Sequence, residues 1–323
     1  MTIHVVSVGV SLIDFLETAD QERGGRSVPG GEEAQKRWRS DKLGLAGSIH
    51  DTADRITRAF GLDSGNHAHD GDALVTYREI AKDIQVRKWS RVPGLSAELD
   101  TVRAYDPAMV TDDDLTVLLA SHTDDGRACA IWTAIALAGG NVERVLYLHD
   151  IGPHTRLVRP ERGQVLVVCV NGLDARQSSQ FAQAMEAVGY LARLIRGARE
   201  LGIDPLLRNR KEPVLFHLSG GYRATVPYLI AAAEWLRSLE CRVQAHVLPK
   251  GAENTLSIPL RRLDPEAVRR ELHAFGSRSE TSPAPEVGYL EGYAYESQGR
   301  GARLTEFGHG MRTLFSSGRE TTA

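Results

Sequence analysis

Cysteines, long apolar runs and net charge are all scarce in this sequence, and each scarcity excludes something. Only three cysteines occur among 323 residues, Cys129, Cys169 and Cys241. Each lies in or beside an apolar run and none has a partner at metal-ligand spacing. An odd number also makes a poor disulfide framework, so the three are expected as buried thiols in a reducing compartment. No uncharged apolar stretch approaches the roughly 18 residues of a membrane span. The opening MTIHVVSVGVSLIDFL lacks a basic flank and a small-residue cleavage site, and Asp14 and Glu17 follow closely. It reads as a first strand rather than a leader. These absences predict a soluble, cytoplasmic protein without membrane contact.

The net charge is −3, with 39 Lys and Arg against 42 Asp and Glu. Nothing global attracts nucleic acid, so any polyanion site must be local. G-x-G-x-x-G after the first strand and G-x-x-x-x-G-K-[ST] anywhere are both missing, which disfavours a conventional NAD or ATP enzyme. His67, His69, Asp70 and Asp72 share a polar loop with no second cluster at ligand spacing, and HDIGPH (His149, Asp150, His154) reads as a connecting loop whose His149 follows a strand. Neither predicts a metal site, and no cofactor is expected.

What is present is alternation. Strand-like runs at 3–9, 115–120, 142–148, 164–170, 213–219 and 242–248 are separated by helical patterns at 50–60, 73–83, 127–139, 178–201 and 223–239. Residues 17–48 are charged, Gly-rich and poorly periodic. Continuous apolar strands suit a sheet covered on both faces, and strand–helix alternation at this spacing predicts a doubly wound, mostly parallel α/β sheet over 1–260. Composition shifts near 261. A helix over 263–275 with Asp264 as N-cap and Pro265 in its first position, a Ser/Pro-rich linker at 276–286, a hairpin around Gly299–Gly301 and a last helix predict a small, winged-helix-like domain over 261–323.

Ligands of an open parallel sheet bind beyond the carboxyl ends of its strands. That rule selects Gly9-Val10-Ser11-Leu12, Ser121 to Arg127 (with Thr123 and Gly126), Asn171-Gly172, and Ser219 to Arg223. Such loops place backbone N–H groups and hydroxyls at helix N-termini, where anions are favoured, and Arg127 and Arg223 add guanidinium forks. Singly each is a tight turn with a cap; together they favour a phosphate-bearing ligand.

At these same loops the chain resembles the CARF (CRISPR-associated Rossmann fold) family, in particular its ring nuclease branch. The resemblance lies in Gly9-Val10-Ser11-Leu12-Ile13, which is similar to a G-T-S-L-L loop. Ser121-His122-Thr123-Asp124-Asp125-Gly126 is similar to S-D-T-x-x-G. His217-Leu218-Ser219-Gly220-Gly221-Tyr222-Arg223-Ala224, with Pro227 after it, is similar to N-x-T-G-G-[FY]-K-A followed by proline. Order and spacing hold across roughly 1–260. His217, Ser219 and Arg223 stand where the family has Asn, Thr and Lys; the arginine keeps the charge and replaces a point ammonium with a planar fork.

The resemblance implies a Rossmann-like homodimer holding a cyclic oligoadenylate, cyclic tetra-adenylate being the favoured ring, across its two-fold axis. It further implies metal-independent cleavage to products with 2′,3′-cyclic phosphate ends, switching off type III CRISPR signalling in antiviral defence. Ser11 would orient the reacting group and Arg223 would stabilise the charged transition state, with Gly9, Val10, Leu12, Ser121, Thr123, Gly126, Arg127, Asn171, His217, Ser219, Gly220, Gly221 and Tyr222 binding the ring. Two other classes stay open: a ligand-gated regulator whose wing, with Arg300 and Arg303, contacts DNA, and an effector with ribonuclease chemistry at Arg303 and His309.

Overall fold

The continuous apolar runs become the strands of one seven-stranded sheet: β1 (Ile3–Ser7), β2 (Leu115–Ser121), β3 (Val145–Leu148), β4 (Val165–Val170), β5 (Pro213–His217), β6 (Arg242–Val247) and β7 (Leu256–Ile258). The computed structural model describes residues 1–12, 90, 94–105, 113–153, 155, 160–173, 178–197, 206–207, 211–221 and 225–315. The expected helices at 50–60 and 73–83, the stretch 17–48, the polar loop at 65–72, His154, Tyr222 and Arg223 lie outside these residues.

Strand order is β3-β4-β2-β1-β5-β6-β7. Every ladder is parallel except β6 with β7, where Ala245 faces Ile258 and Val247 faces Leu256. Parallel strands bury both faces, and β1 shows why the runs are continuous: Ile3 and Val5 enter one hydrophobic cluster, Val6 and Val8 the other. Helices α1 (Ala97–Tyr105) and α2 (Asp124–Leu137) cover the second face, while α3 (Ser178–Arg196) and α4 (Val226–Ser238) cover the first. The α/β reading of the sequence holds, with two elements added. The antiparallel edge strand β7 is only three residues long and mostly exposed, too short to leave a periodic signal. Helix α1 starts where Ser96 Oγ accepts the Leu99 N–H at 3.2 Å. The run at 142–148 begins with a tight helical turn, capped by Asn141, before β3 starts at Val145.

Beyond 261, α5 (Pro265–His273) is capped as the sequence indicates, Asp264 accepting from the Glu266 N–H. A three-stranded antiparallel sheet follows, with order β8-β10-β9, built from β8 (Glu280–Thr281), β9 (Tyr295–Gln298) and β10 (Gly301–Leu304). Thus β8 lies inside the expected Ser/Pro-rich linker, paired through Thr281 and Glu280 with Ala302 and Arg303. The hairpin turns at Gly299, whose φ of 62° favours glycine. The last helix is α6 (Glu306–Phe315).

These elements share one hydrophobic cluster with the large sheet's first face, Met311, Leu314 and Phe315 joining Met185 and Val188. Two buried carboxylates hold the layer. Glu234 of α4 takes a bidentate pair of bonds from Arg261, and Glu271 of α5 accepts the Tyr289 and Leu290 N–H groups at 2.7 and 2.8 Å and the Tyr295 hydroxyl at 3.1 Å. Helix α6 lies against α3 because both carry glycine at the crossing. A Cβ on Gly189 would stand 2.5 Å from the Gly310 carbonyl, and one on Gly310 would stand 2.6 Å from the Met185 carbonyl. Gly310 lowers helix propensity and gains this close approach in exchange, while Gly308 leaves room for the Ala294 carbonyl. No described helix is long and apolar enough to cross a membrane.

The crossing predicts that Gly310→Val destabilises the fold by about 1–3 kcal/mol through overpacking, read as a lower urea midpoint with an unchanged slope. Arg300→Val, on the exposed hairpin turn, leaves the midpoint unchanged.

Candidate functional site

Strand β1 has β2 on one side and β5 on the other, and the chain reverses its direction of sheet growth there. That is the switch point at which an open α/β sheet leaves a crevice beyond its carboxyl ends. A cavity of about 410 Å³ occupies it. Gly9 and Val10 come from the β1 loop, Ser121, Thr123 and Gly126 from the β2 loop, and Gly221 from the β5 loop.

The β1 and β5 loops are stitched together at backbone distance. A Cβ on Gly9 would lie 2.8 Å from the Gly221 nitrogen, and Gly221 itself has φ +88°. The Ser7 hydroxyl donates to the Gly220 carbonyl at 2.6 Å. Beneath both loops lies Glu98 of α1, 1% exposed. Its carboxylate accepts the Gly9 N–H at 2.8 Å, the Ser11 hydroxyl at 2.6 Å and the Ser96 hydroxyl at 2.8 Å. It also fills the space a Gly220 side chain would need, 2.2 Å from that Cβ position. Ser11 accepts the Ala97 N–H at 3.3 Å as well, so its proton and a lone pair are both in use. Val10 is 42% exposed at the cavity mouth and Leu12 is buried beneath it.

The β2 loop is a capped helix start. Thr123 Oγ1 accepts the Gly126 N–H at 3.1 Å and pairs with Ser121 Oγ at 2.8 Å. Gly126 has no room for a side chain, since a Cβ would lie 2.2 Å from Ser121 Oγ. Arg127 is half-buried one residue further on. The next residue of the loop after Ser121, His122, presents Nε2 to His149 Nε2 at 2.9 Å. Asn171 is exposed at the end of β4; its neighbour Leu173, rather than Asn171, lines the cavity. Ser219 accepts the Leu248 N–H at 2.5 Å, holding the β5 loop to the end of β6.

His217 sits below the loops, fully buried, inside a histidine stack on one sheet face. Its Nε2 lies 3.1 Å from His4 Nδ1 with the rings parallel, Tyr105 meets its edge, and His246 is the next ring across the sheet at 6.4 Å. Asp114 lies 3.8 Å from His4 on the far side. His217 Nδ1 and His246 Nε2 are buried without hydrogen-bond partners. Burial, then the neighbouring His4 and His246, hold the His217 pKa well below the usual imidazole range. The three cysteines are buried, and burial pushes the Cys169 thiol up to about 11, which leaves it unreactive.

The alternative pair at the C-terminus is tied into the scaffold. His309 donates to Glu186 of α3 at 3.0 Å, while Arg303 is 61% exposed on β10, 3.8 Å from Glu280. Among the described residues no group of three or more His, Cys, Asp or Glu is placed to hold a metal ion. Sequence reasoning reached every loop at this edge and missed Glu98. One carboxylate on a short helix carries no motif, and the only local signal was Ser96 as its cap.

The stack gives a pH dependence. An unfolded histidine titrates at about 6.5, and His217 in the folded chain titrates well below that. The unfolded state therefore binds more protons as pH falls below about 6.5, and stability is lost until the folded pKa is passed. Thermal midpoints from pH 7.5 to 5 should fall steadily, and His217→Asn should flatten the decline.

No family model matches this chain, and no curated protein matches it.

Proposed function

We propose that the chain binds a cyclic oligoadenylate as a homodimer, each protomer supplying the same loops to half of the ring, and cleaves it without metal. The products are linear adenylates with 2′,3′-cyclic phosphate ends. The observation that carries the reading is the cavity at the switch point, walled by three glycine-containing loops, two of which, after β1 and β5, approach at backbone distance. Glycine there lets the loop backbones come close to a phosphate without side chains intervening, and the hydroxyls of Ser121 and Thr123 stand beside them. A ring of four or six nucleotides is larger than this cavity, which suits a ligand shared across a two-fold axis. The nucleophile is the ribose 2′-hydroxyl of the ligand, so the protein's part is in-line geometry and charge stabilisation. Arg223 fills the second role, following the resemblance. The small antiparallel sheet between α5 and α6 suits a winged-helix-like support, and a cytoplasmic place suits the ligand.

One observation favours a second reading, a sensor that binds the ring without cutting it and governs DNA contact or RNA cleavage through the C-terminal elements. The Ser11 hydroxyl is committed to Glu98 and Ala97, which suits setting the loop more than touching a reacting phosphate.

Mixing the protein with cyclic tetra-adenylate and cyclic hexa-adenylate in EDTA, followed by chromatography, separates the readings. Conversion of one ring to cyclic-phosphate products is expected, with Arg223→Ala lowering kcat at saturation on the order of 100-fold. Tight binding without turnover selects the sensor, and no binding to either ring refutes both.

A further inference from the structure

His122 and His149 form a contact that core packing does not require. His122 follows β2 and His149 follows β3, two strands separated in the sheet by β4, so the pair spans the carboxyl end of β4. Both rings are half-buried. Their Nε2 atoms lie 2.9 Å apart, with the rings near perpendicular and the centroids 4.4 Å apart. At that distance one nitrogen carries a hydrogen and the other a lone pair. The flanking residues Ser121 and Thr123 line the cavity, which puts His122 at its rim.

The groups facing the pair are Arg127 of α2, Asp150 next to His149, and the Tyr147 ring 6.4 Å from His149. Burial, then His149 and Arg127, lower the His122 pKa, against a smaller opposing effect of Asp150. A neutral, partly exposed imidazole is the state a general base needs near neutral pH. The arginines near the site keep their protons at any working pH and provide charge only.

We infer that His122 and His149 are the proton-transfer pair of ring opening, an inference that rests on the cleavage reading above. The bound ring parts the Nε2 contact, and His122 Nε2, its lone pair freed, takes the proton of the ribose 2′-hydroxyl while that oxygen bonds to phosphorus. The bond from phosphorus to the 5′-oxygen breaks, and protonated His149 gives its proton to that oxygen. The products are a 2′,3′-cyclic phosphate and a 5′-hydroxyl, and no water, metal or electron is consumed. His122 then holds the proton that His149 has lost, and the direct Nε2 contact returns it, resetting the pair for the next bond.

The test measures kcat with saturating cyclic tetra-adenylate and cyclic hexa-adenylate in EDTA from pH 5 to 8, together with ring affinity and thermal midpoint. Wild type, His122→Asn and His149→Asn are compared. A bell-shaped wild-type profile is expected. Each variant should lose on the order of 100-fold or more in kcat and one limb of the bell, with midpoint and affinity kept within about 3-fold, a change below 1 kcal/mol. Variants that cleave at the wild-type rate with the wild-type profile overturn the inference and leave the cleavage reading standing. Loss of wild-type cleavage in EDTA, with recovery on adding zinc, assigns the pair to a metal and overturns proton transfer. A wild type that binds a ring without cutting it, or binds neither, overturns the cleavage reading and the inference with it.

Discussion

The Glu98 carboxylate holds the end of β1 and the Gly220–Gly221 turn in one register, and the cavity depends on that register. A charge buried this deeply is tolerable only when its oxygens are satisfied; here an N–H and two hydroxyls converge on them. The arrangement also explains the glycines. Gly9 and Gly221 meet backbone to backbone and Gly220 rests on the carboxylate, so no position among the three has room for a side chain. One acidic residue on α1 thereby links the strand-one loop, the strand-five loop and the start of its own helix.

Buried carboxylates serve as organisers elsewhere in the molecule too. Glu234 gathers Arg261 and its backbone N–H, and Glu271 gathers two successive N–H groups from the segment before β9 and the hydroxyl of Tyr295 at its start. These contacts tie the elements after 261 to α4 and α5 at fixed geometry, while the α3–α6 glycines let apolar side chains from both regions merge into one cluster.

The two histidine groups differ in a way that follows from their depth. His4, His217 and His246 lie on one sheet face, with Tyr105 of α1 against the latter two and ring nitrogens of His217 and His246 left unpaired. His122 and His149 lie past the strand ends and are half-buried. Equal side chains thus divide into a buried stack and a half-buried pair according to whether they lie within their strands or follow the last ladder bond.

Local pattern determined a great deal. Strands β1 to β6, five of the flanking or C-terminal helices with the Asp264 cap, and the loops that wall the cavity are all legible, because apolar periodicity and capping chemistry are written in neighbouring residues. Helix α1, strand β7 and strand β8 were not, being short and stabilised by partners far along the chain. Residues quoted together in a motif also part company in space: Ser121 and Thr123 face the cavity, while His217 is withdrawn into the sheet and Ser219 is spent on Leu248. The sequence by itself determined where the ligand edge of the sheet lies, since strand direction follows from strand–helix alternation. Only the tertiary structure decided which side chains reach that edge. Convergence of Glu98 on Gly9 and Gly220, or of His122 on His149, depends on strand order and register, which are set by burial of the whole sheet and leave no mark at either residue alone.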